Sequence, residues 1–248
     1  MRVGVAGGTG VVGRHVVVAL RDGGHVPVVL SRSVGVDVVT GHGLDAVLDG
    51  VQAVVDVTSV QTLRRSTATS FFEAGTRNLL EAGLAAGVAH HVLLSIVGVD
   101  AVGSGYYAAK LRQEQLALEG PLPCSVLRST QFHEFAGQVL ARSRLGPLRL
   151  VPRMRVQPVA AAEVGAALAE LATGAYAVGR APDLAGPEVH DLPDLARRLL
   201  RHQQRSGRVV GVRPPGELGR QLAGGGLLPG DGGRRGTTTF DAWLSSAG

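Results

Sequence analysis

Residues 2–13 read Arg2-Val3-Gly4-Val5-Ala6-Gly7-Gly8-Thr9-Gly10-Val11-Val12-Gly13. Residues 2–6 have the short apolar character of a buried strand, and a helical stretch from about Val11 to Arg21 follows. Between them the glycines fall at 7, 10 and 13. A glycine pattern alone is weak, but placed between a first strand and a first helix it describes a turn built for close approach. Its glycines permit a tight bend, contact between backbone and a pyrophosphate, and packing of helix on strand. The start of the helix adds free N–H groups and a partial positive charge. Thr9 and Val12 belong to the same turn and are expected to contact the same group.

Outward from this turn, strands and helices alternate. Asp22-Gly23-Gly24 ends the first helix, and His25 to Ser31 reads as a second strand. A third, much shorter strand is expected at Val36 to Thr40, and a brief helix at Leu44 to Leu48. Further strands are expected at Val51 to Val57, His91 to Ser95 and Ser125 to Leu127. Longer helices are expected at Thr67 to Ala86 and Tyr106 to Leu118. Such alternation predicts a Rossmann-like α/β fold, a doubly wound parallel sheet with right-handed crossovers. Beyond residue 135 the pattern loosens. Helices are expected at Val159 to Thr173, at Pro193 to Gln203 and near Gly216 to Ala223. The rest of 206–238, rich in Gly, Arg and Pro, reads as loop, and Phe240 and Trp243 are expected to pin a C-terminal helix to the body. The organisation predicted is a nucleotide-binding core over 1–135 and a substrate-binding C-terminal region over 136–248, packed on the same domain.

Composition bounds the function. With 248 residues, 45% of them apolar and only 4% aromatic, the chain can bury a large Val-rich core. A single cysteine, Cys124, excludes an internal disulfide and suits a reducing cytoplasm. No basic stretch leads into a long apolar segment at the start, and no run approaches the roughly 18 apolar residues of a membrane span. The net charge of +5 is spread over scattered arginines. No basic stripe with a reading element is present, so nucleic acid is not the expected partner. His90-His91 and His133-Glu134 lack metal-ligand spacing, and no metal is expected.

The end of the second strand selects a cofactor. An acidic residue there would bind an adenosine ribose and repel a 2′-phosphate. This chain instead has Ser31-Arg32-Ser33, an arginine between two hydroxyls, with Arg14 nearby after the last glycine. That pattern favours NADP(H). A second signal is the only lysine among 25 basic residues, Lys110, four residues after Tyr106. The two share a helix face. An ammonium can lower a tyrosine's pKa from roughly 10 and make it a proton donor or acceptor near neutrality. It can also bind ribose hydroxyls. Tyr107, three residues before Lys110, faces nearly the same way. At Arg180, the other cation four after a tyrosine, the chain uses arginine, and no such chemistry is suggested there.

Together, the glycine turn and Tyr106-x-x-x-Lys110 resemble the short-chain dehydrogenase/reductase superfamily, and more narrowly its atypical, NmrA-like branch. The resemblance extends over about residues 1–205 and includes stretches 75–82, 92–100, 127–135 and 156–164. It implies that Gly7, Gly10 and Gly13 hold the pyrophosphate and Arg32 the adenosine phosphate. Val57 and Thr58 would lie along the cofactor, with Ser95 near the nicotinamide ribose. Lys110 would hold that ribose, and Tyr106 would exchange a proton with substrate. Gln131, Phe132 and His133 would border the substrate. Two positions depart from the pattern. Ser95 lies early for the usual substrate-orienting serine, whose position Val97 would occupy. Phe72 stands where an asparagine is common. The resemblance therefore implies an NADP(H)-dependent oxidoreductase, monomer or homodimer, acting on a carbonyl or conjugated double bond of a small molecule. The alternative within the branch is a non-catalytic NADP-binding redox sensor.

Overall fold

Valines set the centre of the sheet. β1 (Arg2–Ala6) lies between β2 (Val26–Leu30) and β3 (Ala53–Asp56), parallel to both. β4 (His90–Ile96) and β5 (Cys124–Ser129) continue outward beyond β3, again parallel. The computed structural model describes residues 1–62, 64–103, 105–174 and 178–246. The connecting helices are α1 (Gly13–Asp22), α2 (Leu44–Val47), α3 (Arg65–Ala85) and α4 (Gly105–Leu118). From β1 the chain steps one way to β2 and then the other way through β3 to β5. The direction reverses between β1 and β3, and in sheets of this kind ligands bind outside the strand ends at that point.

Side-chain alternation along each strand decides what faces what. Val3, Val5, Val55, Val92, Leu94 and Leu127 join one core with α1 and a later helix, α6 (Ala161–Thr173). The intervening positions point to the face covered by α3 and α4. Most are apolar, such as Val54, Leu93 and Val126. Asp56, His91, Ser95 and Arg128 are instead buried polar groups on that face.

Beyond residue 135 the chain does two things. One part returns to the sheet: β9 (Gly179–Arg180) and β10 (Leu184–Ala185) pair with β5, and β13 (Arg234–Arg235) extends β10. Strands from both sides of residue 135 thus share one sheet. The other part builds its own core around Val151, Leu195, Leu199 and Phe240. Its elements are α5 (Phe135–Arg142), α7 (Leu192–His202), α8 (Gly216–Gly224) and α9 (Phe240–Ser246). Of these, α5 and α7 pack on a small sheet of β6 (Arg144–Leu145), β7 (Leu148–Pro152) and β12 (Arg208–Val212), α9 packs on α7, and β8 (Arg155–Val156), beside α8, pairs with β11 (His190–Asp191).

Two expectations are corrected. Val36 to Thr40 is a turn, not a strand. Its valines 36 and 38 are buried, but Asp37 Oδ1 accepts from the N–H of Val39 and Thr40, and Asn78 Nδ2 donates to the carbonyls of Val38 and Val39. Side chains thus take the backbone groups a sheet would have used. Residues 206–238 are also not all loop and helix, since Arg208–Val212 pairs along β7. Exposed arginines at its start hid the strand.

Candidate functional site

The glycine turn sits at the reversal point. Gly7 has φ +81°, and a Cβ there would meet the carbonyl oxygen of Val57 at 3.0 Å. A Cβ on Gly13 would lie 2.1 Å from the carbonyl oxygen of Gly7, so α1 can start against the turn only with glycine at 13. Gly10 N–H closes the turn onto the Gly7 carbonyl at 2.9 Å. Thr9 and Gly10 are exposed, while the Val12 side chain is buried in the core. Among the described residues, the N–H groups of Thr9, Val11 and Val12 have no acceptor. Free donors, a helix start and a bend that excludes side chains are what a pyrophosphate requires, and these residues fit one.

At the tip of β2 the Ser31 and Ser33 hydroxyls lie 2.8 Å apart on either side of Arg32. Arg32 is exposed, as is Arg14, and among the described residues neither forms an ion pair. Asp37, the nearest following carboxylate, is committed to its own turn.

Tyr106 and Tyr107 go to different places. The Tyr106 hydroxyl is 3.1 Å from Ser59 Oγ, in the loop after β3, and its ring meets Phe72 edge-on. Tyr107 packs against the C-terminal core. Burial raises the pKa of Tyr106, with the Ser59 hydrogen bond pulling the other way. Burial pushes Tyr107 up to about 12. The expectation that Lys110 draws the Tyr106 hydroxyl down is therefore corrected. The ammonium is turned inward: Nζ donates to Gln113 Oε1 at 2.6 Å and stands 4.9 Å from the centre of the Phe72 ring. Gln113 Nε2 in turn donates to Asp56 Oδ2 at 2.9 Å. Asp56 Oδ1 receives Thr58 N–H at 2.9 Å and its hydroxyl at 2.6 Å. Burial brings Lys110 down to about 8, opposed by the charges of Asp56 and Glu114.

One turn along α4 a second cluster forms. Ser95 Oγ donates to Glu114 Oε2 at 2.6 Å, and both groups are buried. Arg128 binds Glu114 through two nitrogens, at 3.1 and 2.8 Å, and reaches Asp100 at 3.1 Å. Arg180 adds a 2.7 Å bond. Burial pushes Glu114 up, but the Arg128 and Ser95 hydrogen bonds and both arginine charges outweigh it and hold the carboxyl below its usual range. The structure thus commits Ser95 to a carboxylate. Arg180 has an ion-pairing task, and its sequence neighbour Tyr176 lies outside the described residues. Val97 is a buried apolar group.

Of the three residues after β5, Phe132 packs on the main core and Gln131 is half-buried with an unpaired Oε1. His133 points away. Its Nε2 lies 3.0 Å from the Thr238 carbonyl, and its ring packs on Phe240 and Trp243. It anchors α9 rather than lining the cleft. Cys124 is buried, and burial pushes its thiol up to about 12. Among the described residues no group of three or more His, Cys, Asp or Glu could hold a metal ion, and no helix is long and apolar enough to cross a membrane.

Sequence reading missed Asp56, Ser59, Gln113, Glu114 and Arg128. A signal existed for two of them. Asp56 interrupts an apolar strand, and Gln113 follows Lys110 at the i, i+3 spacing.

Compared by sequence, the chain matches no family model and no curated protein. Compared by structure, it is similar along its whole length to several solved proteins. One is a short-chain dehydrogenase/reductase superfamily protein from Agrobacterium tumefaciens with bound NAD, 20% identical, with a TM-score of 0.71 over 100% of this chain and 96% of that one. Another is the NADPH-dependent quinone oxidoreductase of Escherichia coli complexed with NADPH, 19% identical, TM-score 0.69, covering 99% of each chain. A third is the UDP-glucose 4-epimerase of Thermus thermophilus with NAD, 17% identical, TM-score 0.67, over 100% of this chain and 93% of that one. The fold is therefore Rossmann-like, shared with these proteins.

Proposed function

We propose that the protein is an NADP(H)-dependent oxidoreductase acting on a carbonyl or conjugated double bond of a small organic molecule, working in the cytoplasm as a monomer or homodimer. The observation that carries this is the turn at residues 7–13, with its free N–H groups at the reversal point of the sheet. Gly7, Gly10, Gly13 and the Thr9 and Val12 backbone would hold the pyrophosphate. Arg32, Ser31, Ser33 and Arg14 would take the 2′-phosphate, with no carboxylate at the strand tip to repel it. Val57 and Thr58 would line the cofactor. When bound, the cofactor supplies the hydride. Tyr106 gives its hydroxyl proton to the developing oxyanion, and Ser59 orients that hydroxyl. Lys110 donates to the ribose, and Gln131 and Phe132 border the substrate. Quinones belong in the substrate panel because a structural neighbour is a quinone oxidoreductase.

The test is a titration of NADPH against NADH, followed by NADPH oxidation with quinones, aldehydes and ketones. Preference for NADPH and turnover on one substrate class are expected. Equal affinity for the two cofactors would remove the NADP(H) assignment.

A second reading, an NADP-binding redox sensor of the NmrA-like type, draws on the Ser95 hydroxyl being held by Glu114 and on Tyr106 being raised rather than lowered. It expects NADPH binding with no turnover on any of the panel, and no functional effect of Tyr106→Phe.

A further inference from the structure

Chemistry fixes the sense of every hydrogen bond around Lys110. An ammonium only donates, so Gln113 must present Oε1 to it, at 2.6 Å. The amide nitrogen is then left for Asp56 Oδ2, at 2.9 Å. The other Asp56 oxygen is filled by the N–H and hydroxyl of Thr58. Reversing the amide would set donor against ammonium and carbonyl against carboxylate. The chain Lys110–Gln113–Asp56–Thr58 therefore has one possible polarity.

We propose that Gln113 and Asp56 are positioning residues, which hold the Lys110 ammonium charged and in place and tie it to the loop after β3. This rests on the reading of Lys110 as the group that donates to the cofactor ribose. Burial alone drives a proton off a lysine, and Lys110 is 4% exposed. On the α3 side it stands over the Phe72 ring, whose face favours a cation. The charges acting on it are Asp56 from β3 and Glu114 from its own helix. Glu114 is committed to Arg128 and Arg180. His91 of β4, near Asp56, is held below the usual histidine range by burial and adds no positive charge at neutral pH. Asp56 is thus the carboxylate left to compensate Lys110, and Gln113 transmits its effect. Because Thr58 is bonded to the same carboxylate, the strand-end loop and the lysine are fixed by one group.

The chain's single lysine makes the test clean. Lysine-selective 13Cε labelling gives one side-chain resonance, whose pH titration belongs to Lys110. In the wild type the midpoint is expected near 8. In Gln113→Leu the ammonium loses its acceptor. In Asp56→Asn one amide must face donors, whichever way it turns. An ammonium that loses its acceptor, or the carboxylate opposing it, gives up its proton more readily, so both midpoints should fall by about one pH unit or more. NADPH affinity in both variants should drop about tenfold at pH 8 and recover at pH 6, as protonation is restored. Unchanged midpoints in both variants would overturn the proposal. If the midpoints fall but the wild type binds neither NADPH nor NADH, the positioning role stands and the cofactor reading falls.

Discussion

Lys110 and Glu114 stand one turn apart on α4, both buried, and their surroundings treat them oppositely. Glu114 receives a serine hydroxyl and two guanidinium groups, and its charge is more than matched. Lys110 receives one neutral amide and an aromatic face, with its opposing carboxylate a residue further away. A fully paired charge of this kind fixes structure, because removing either member strands the other. An under-compensated charge stays near its titration point and can respond to a ligand. The first cluster ties α4 to β4, β5 and β9. The second, with Tyr106, borders the loop that follows β3.

Changes on the Lys110 side should thus be read in activity, and changes on the Glu114 side in stability. The largest effect is expected from Tyr106→Phe, which should cut turnover by about 10²–10⁴-fold, the usual range for general acid catalysis, with NADPH affinity and melting temperature nearly unchanged. A large loss of stability instead would place Tyr106 with the structural group. Next comes Glu114→Ala, which leaves Arg128 buried without its partner and should cost about 3–5 kcal/mol in urea unfolding. If it lowers turnover while the unfolding midpoint stays fixed, the division between the two clusters is wrong.

The third effect is a pH dependence. Burial lowers Lys110 in the folded protein to about 8, whereas an unfolded lysine titrates at about 10.4. Between those values the unfolded chain binds more protons, so stability should rise with pH. The slope is at most about 1.4 kcal/mol per pH unit, and Lys110→Met should lose that rise. Urea midpoints of the two proteins at pH 7.5, 8.5 and 9.5 measure the difference. The smallest effect concerns a charge that is unpaired but exposed. Arg32→Ala should weaken NADPH by about tenfold, roughly one charged hydrogen bond, and leave NADH unchanged. Equal losses for both would assign Arg32 a general role at the strand tip.

The linear sequence carried the fold because its signals are local. The apolar run at residues 2–6, the glycines at 7, 10 and 13, and the alternation of strand and helix each depend on neighbours a few residues away. The same holds for the Tyr106–Lys110 spacing and for the absence of an acid after β2. Partnership across the chain is different. Nothing near Ser95 in sequence says that its hydroxyl will meet Glu114, or that Arg128 and Arg180 will meet there too. His133 looked like a cleft residue because it follows β5, yet the return of α9 covers it. The separation of Tyr106 from Tyr107 was decided by what packs on each side of α4: Phe72 of α3 on one, the C-terminal core on the other. The sequence by itself determined the sheet, the anion turn and the lone lysine, through backbone geometry and short-range periodicity. Only the tertiary structure decided which buried charges are compensated, because burial and pairing are set by residues far apart in the chain, as Arg180 and Glu114 are, 66 positions from one another.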